Sequence, residues 1–157
     1  FIIELDYKYN QAAKSIDVSI ELTEDPSLKV PMKKATLKTT GKMSVRAKTQ
    51  GDLQLDYANT CLSLMYYVAC NVFNITPNIQ TCSISLYSAR KANGICWMEF
   101  NRNRFSTLYL SSLDPLLDMM GWPNVANLKV LKTTSKLDSM EKTAFENQIK
   151  SQIASFT

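Results

Sequence analysis

The 157-residue chain contains no histidine. That absence removes His-based catalytic triads, the usual catalytic zinc sites and histidine pH switches. Glycine is scarce as well: Gly41, Gly51, Gly94 and Gly121 stand far apart and form no phosphate-cradling loop. The four cysteines, Cys61, Cys70, Cys82 and Cys96, include no CxxC or CxxxxC pair, which excludes a zinc ribbon and a thioredoxin-type motif. Long apolar runs are missing too. The stretch from Cys61 to Cys70 is half of the roughly 20 residues that a membrane span needs, and no secretory signal is visible. Serine and threonine are abundant, but no usual base stands ready to activate them. The composition speaks against an enzyme, and no cofactor, metal or membrane partner is expected.

What is present reads as an ordinary globular domain. Hydrophobic residues make up 45% and charged residues 20% of the chain, enough for a packed core and too apolar for disorder. The net charge of +4 and pI near 8.8 fall short of a strongly basic nucleic-acid-binding domain. Each cysteine sits among apolar neighbours, as buried free thiols do, so a reduced, cytoplasmic protein is expected. The chain opens at Phe1, without methionine, directly on a strand-like run. It is read as a single α+β domain, residues 1–157, either cut from something longer or a processed product.

Hydrophobic periodicity supplies the elements. Residues 2–9 alternate, with Ile3, Leu5, Tyr7 and Tyr9 on one side and Glu4, Asp6 and Lys8 on the other, which predicts a half-buried strand. Ser15 to Leu22 alternates again through Ile16, Val18, Ile20 and Leu22, completing an antiparallel hairpin. Pro26 and Pro31 break the pattern, and Ala35 to Val45 reads as an irregular connector holding at most a short edge strand. Asp52 to Phe73 carries the three-four spacing of a long amphipathic helix. Ile79 to Lys91 and Ile95 to Phe100 are strands joined at Ala92-Asn93-Gly94, a strong hairpin signal. Short helices are expected within 101–109 and from Leu113 to Gly121, the second with Asp114 as N-cap and Pro115 at its first position. Asn127 to Lys136 is ambiguous. Asp138 to Phe156 predicts a terminal helix with Met140, Ala144, Phe145, Ile149, Ile153 and Phe156 on one face. The expected fold is an antiparallel sheet of two hairpins, in β-β-α-β-β-α order, with the long helix and the C-terminal helix on one face.

Charge supplies the candidate sites. Lys29, Lys33, Lys34, Lys38, Lys42, Arg46 and Lys48 place seven cations in one stretch without an acid. The stretch reads as a phosphate-contacting strip, as a solvated edge strand whose lysines deter pairing, or as a surface for a protein partner with an acidic face. It holds no aromatics on which single-stranded bases could stack. Arg90 and Lys91, beside the Asn93-Gly94 turn, and Arg102 and Arg104, just past the return strand, read either as a second basic cluster or as the solvated tip of the second hairpin. Asp6-Tyr7-Lys8 has the acid-x-lysine spacing of metal-dependent nucleases, with only Glu4 upstream to share a metal. Glu99 lies between Met98 and Phe100, where a carboxylate could have a raised pKa. Trp97 and Trp122 suit either a ligand pocket or the core.

A run of residues also carries a family resemblance. Ala69-Cys70-Asn71-Val72-Phe73 is followed by Gln80-Thr81-Cys82-Ser83-Ile84-Ser85-Leu86-Tyr87. Then come Ile95-Cys96-Trp97-Met98-Glu99-Phe100-Asn101-Arg102-Asn103-Arg104-Phe105 and Leu110-Ser111-Ser112-Leu113-Asp114-Pro115. This order, with the amino-terminal hairpin before it, resembles an accessory module of bacterial proteins, some of which continue into an Mrr-type restriction endonuclease domain. The match is one of hydrophobic and strand signals without a catalytic signature, so no nuclease residue is carried over. The resemblance implies a non-catalytic module of a restriction- or phage-defence-type protein. Its expected partners are duplex DNA, other domains of the parent protein, or further copies of the chain. A protein–protein or self-association domain with no nucleic-acid role is the alternative.

Overall fold

A computed structural model describes residues 3–22, 31–128 and 136–155. Strands β1 (Ile3–Asn10) and β2 (Ser15–Leu22) form the expected antiparallel hairpin. Strands β3 (Lys33–Leu37) and β4 (Met43–Ala47) form a hairpin where an irregular connector is predicted. This hairpin is a separate two-stranded ribbon and not an edge of the main sheet. Helix α1 (Gln50–Ile75) follows, longer at both ends than its apolar stripe. Strands β5 (Thr81–Tyr87) and β6 (Asn93–Asn101) form the second hairpin. Two short helices, α2 (Arg102–Phe105) and α3 (Pro115–Asp118), precede strands β7 (Val125–Ala126) and β8 (Met140–Glu141) and helix α4 (Lys142–Ala154).

The main sheet has six strands in the order β1-β2-β5-β6-β7, with β8 also on β6. It is mixed, not antiparallel throughout: β2 and β5 pair in parallel, from Ser15 opposite Thr81 to Glu21 opposite Tyr87. The reason is the crossover. The ribbon and α1 carry the chain back across the sheet, so β5 starts at the same end as β2.

Alternation decides what each face buries. Val18, Ile20 and Leu22 of β2, Cys82, Ile84 and Leu86 of β5, and Cys96, Met98 and Phe100 of β6 meet α1 through Ala58, Cys61, Leu62, Met65, Ala69 and Phe73. The opposite face carries Tyr87 and Trp97, packed with Ala126 and Phe145 of α4. The two long helices therefore lie on opposite faces of the sheet, not on one. Among the residues expected to line the inner face of α4, Phe145 is fully buried, whereas Ala144 and Ile153 are exposed. Met140 belongs to β8, and Phe156 lies outside the described residues. The apolar side of β1 is not half-buried as predicted: Leu5, Tyr7 and Tyr9 are exposed.

Caps explain the element ends. Thr49 and Asp52 form a reciprocal capping box at the start of α1. Asp114 accepts from the N–H groups of Leu116 and Leu117, and Pro115 takes the first helical position, as predicted. Glu141 accepts from Thr143 and Ala144 and starts α4, which holds its carboxyl below the usual range.

The Asn93-Gly94 signal points to the wrong place. The turn lies at residues 88–92, with Arg90 and Lys91 at positive φ of 61° and 49°. Asn93 and Gly94 already belong to β6, where Gly94 pairs with Tyr87. Glycine is required there by packing, because a Cβ at Gly94 would lie 2.0 Å from Cγ and Cδ1 of the buried Phe145 ring. Gly94→Ala is expected to lower stability by about 1–3 kcal/mol through overpacking, while Gly41→Ala, at an open turn, leaves the Phe145 packing intact. Chemical denaturation and the near-ultraviolet circular dichroism of the Tyr87–Phe145 cluster check this.

Candidate functional site

The basic segment folds as the β3–β4 ribbon and its turn. Cross-strand register sorts its side chains. Lys34 opposite Arg46 and Thr36 opposite Ser44 share one face; Lys33 opposite Ala47, Ala35 opposite Val45 and Leu37 opposite Met43 share the other. Lys38 and Lys42 close the tip, where the Lys38 amide donates to the Lys42 carbonyl at 2.9 Å and Gly41 takes φ of 75°. An isolated two-stranded hairpin is marginal in water, and two lysines tie this one to α1. The Lys34 ammonium donates to Asp52 at 2.6 Å, and Lys48 donates to Asp56 one turn further along.

The seven predicted cations are thus not equivalent. Lys29 lies outside the described residues. Lys34 and Lys48 are engaged in anchoring the ribbon. Lys33, Lys38, Lys42 and Arg46 are exposed, and among the described residues no acid pairs with them. Sequence reading passed over the ribbon's apolar face, on which Leu37, Met43 and Val45 are exposed. The signal was available in the alternation of Lys33-Ala35-Leu37 and Met43-Val45-Ala47.

The second basic cluster does not assemble. Arg90 and Lys91 sit at the β5–β6 turn, whereas Arg102 and Arg104 follow the far end of β6. Nine residues of strand, about 30 Å, separate them. Arg102 is half-buried and serves as a clasp for the end of α1: its guanidinium donates to the carbonyls of Phe73, Thr76 and Ile79 and lies 4.8 Å from the Phe73 ring centre. These include carbonyls that a helix leaves without partners. Arg104 stacks over Trp122 at 4.4 Å, bonds the Gly121 carbonyl and approaches Asp118 at 3.7 Å.

The remaining chemical candidates are also engaged. Glu99 accepts from Asn124 at 2.7 Å and from the Ser83 hydroxyl at 3.3 Å. Asp6 accepts from the Tyr7 amide at 2.9 Å. No group of three or more acids or cysteines suited to a metal exists among the described residues. Trp97 and Trp122 are core residues. The indole of Trp122 donates to Asp118 at 2.8 Å, and the Tyr66 hydroxyl donates to the same carboxylate. Burial, reinforced by that bond to Asp118, pushes the Tyr66 hydroxyl pKa up. An open depression beside this cluster holds Asp114 and Asp118, but the first caps α3 and the second binds Tyr66 and Trp122. The four cysteines are free thiols. Burial, aided by the nearby Asp17 charge, pushes Cys82 up to about 12, and burial raises Cys96 as well, so both stay protonated near neutral pH.

No family model, curated protein or solved structure matches the chain.

Asp52 couples the helix cap to the ribbon. The Lys34 hydrogen bond, followed by the bonds from Thr49, holds its carboxyl well below its ordinary value of 3.8. A depressed carboxyl stabilises the fold above its unfolded pKa and loses that contribution as pH falls through the folded one. Acidification below 3.8 is therefore expected to loosen the ribbon. Asp52→Asn is expected to speed amide exchange in residues 33–37 and 43–47 at neutral pH and to remove that part of the acid response, while β5 and β6 keep their protection. Residue-resolved hydrogen exchange measures both.

Proposed function

We propose that this chain is a non-catalytic interaction module that holds duplex DNA through the phosphate backbone, using the β3–β4 ribbon. The observation that carries the reading is the division of labour among the lysines: Lys34 and Lys48 fasten the ribbon, and Lys33, Lys38, Lys42 and Arg46 remain exposed on it. A two-stranded ribbon fits the major groove of B-DNA. Exposed cations gain affinity for a polyanion by releasing counterions and carry no sequence preference by themselves. The five-residue strands span about 17 Å, several phosphate spacings along one DNA strand. The resemblance of residues 69–115 to the modules that precede Mrr-type nuclease domains leans the same way. On that reading the chain serves a bacterial restriction- or phage-defence-type protein in the cytoplasm, where its thiols stay reduced. Among the described residues no helix is long and apolar enough to cross a membrane.

One observation favours a second reading. The exposed Leu37, Met43 and Val45 give the ribbon an apolar face, the kind of surface that another protein domain covers. On this reading the lysines around it only keep an open hairpin soluble.

Fluorescence anisotropy with duplex DNA across a salt series separates the two. The DNA reading expects log Kd to depend linearly on log salt. Replacing Lys33, Lys38, Lys42 and Arg46 together by alanine should make the slope shallower by about 3–4, at about 0.9 per phosphate contact. Arg90→Ala with Lys91→Ala, at the remote turn, should leave the slope unchanged. No binding at low salt, or an unaltered slope in the quadruple variant, removes the DNA reading and leaves the protein partner.

A further inference from the structure

The two edges of the main sheet differ. Among the described residues only β7 and β8, two residues each, lie beyond β6, so that edge is short and interrupted. At the other side β1 runs for eight residues with no strand beyond it among the described residues. A long regular edge offers its unpaired amides and carbonyls to any strand that can align with them.

The hydrogen bonds identify which groups are on offer. The Tyr7 amide donates to the carboxylate of Asp6, its own neighbour, at 2.9 Å. It therefore points away from β2. In an antiparallel strand the outward groups alternate, so Leu5, Tyr7 and Tyr9 present backbone donors and acceptors at the free edge. Asp6 and Lys8 direct theirs to Ser19 and Asp17 of β2. The same odd-numbered residues carry an exposed apolar surface, with Tyr7 at 66%. That surface continues into a groove of about 520 Å³ between β1 and α1, bounded by Leu5, Tyr7, Tyr67 and Ile75. Ile75 is 80% exposed.

We infer that two copies of this chain pair edge to edge through β1, antiparallel, about a two-fold axis at Tyr7. The charges select the register. Antiparallel pairing must match outward residues with outward residues, which restricts the axis to a residue position. An axis at Asp6 would set two carboxylates face to face, and one at Lys8 would oppose two ammonium groups. An axis at Leu5 would put Glu4 against the partner's Asp6. An axis at Tyr7 sets Asp6 against the partner's Lys8 on both sides and Leu5 against the partner's Tyr9. The Tyr7 amide then donates to the carbonyl of the partner's Tyr7, and Asp6 exchanges its neighbour's amide for an ammonium group. This axis is perpendicular to the sheet, so both α1 helices lie on the same face and the two apolar grooves meet over the paired tyrosines. The ribbon takes no part, so the inference stands or falls independently of DNA binding.

Sedimentation equilibrium over a concentration series at low salt tests the pairing. Wild type is expected to dimerise. Asp6→Lys and Lys8→Asp should each weaken the dimer about tenfold, because each turns two attractive cross-strand pairs repulsive. The double variant Asp6→Lys with Lys8→Asp restores opposite charges and should return affinity to near wild type. Tyr7→Pro removes the amide on the axis but no bond to β2, and should give monomer with an unchanged far-ultraviolet spectrum. Amide exchange at Leu5, Tyr7 and Tyr9 should slow as protein concentration rises, while Asp6 and Lys8 stay protected throughout. A chain that remains monomeric at every concentration overturns the inference. So does a dimer indifferent to the two single charge changes, or one that the double variant fails to restore.

Discussion

Everything in this molecule hangs on one contact, the stripe of α1 pressed against the inner faces of β2, β5 and β6. Apolar burial is the main favourable contribution to folding, and the largest continuous share of it is here. The contact also fixes the topology, since α1 is the crossover that lets β2 and β5 lie parallel. It fixes the periphery through a mismatch of lengths. A 26-residue helix extends about 39 Å, whereas the nine residues of β6 reach about 30 Å. The fully buried residues of α1 begin only at Ala58, so its first two turns overhang the sheet. Asp52 and Asp56 stand on that overhang and hold the ribbon clear of the core. At the other end, Arg102 gathers the carbonyls of the final turn and of the chain leaving it.

What was legible in the sequence was whatever depends on neighbours along the chain. The hairpin of β1 and β2, the stripe of α1 and the Asp114-Pro115 start of α3 all follow from local period or local capping. What failed depends on partners distant in sequence. Alternation said which way Leu5, Tyr7 and Tyr9 face, but not that α1 fails to cover them. The Asn-Gly pair suggested a turn because the ring of Phe145, fifty-odd residues later, is invisible locally. The same distance hid the parallel pairing of β2 with β5 and the placement of α4 on the opposite face. Arg102 and Arg104 counted as surface charge until the carbonyls and rings that hold them came into view.

The candidate site was legible as composition and not as shape. Seven cations without an acid described a charge, and among the six that the structure describes, folding made two into anchors and left four exposed. The division follows from the twist of meaning that register gives a strand. Lys33 and Lys34 are adjacent in sequence yet lie on opposite faces, and only Lys34 can reach α1. Among the described residues, the apolar face of the ribbon and the outer edge of β1 are both left without a covering element.

The parallel pairing of β2 with β5 also bears on the order of assembly. About 60 residues separate the two strands, so their ladder closes only after a long loop has been drawn together, and such non-local pairings slow folding. During synthesis the amino-terminal hairpin emerges while the strand destined for its inner side is still to be made. Until then Val18, Ile20 and Leu22 have no helix above them, and β2 is as open to stray pairing as β1. The nascent chain thus passes through a stage with two sticky borders, the stage at which a holdase chaperone would matter most to its yield.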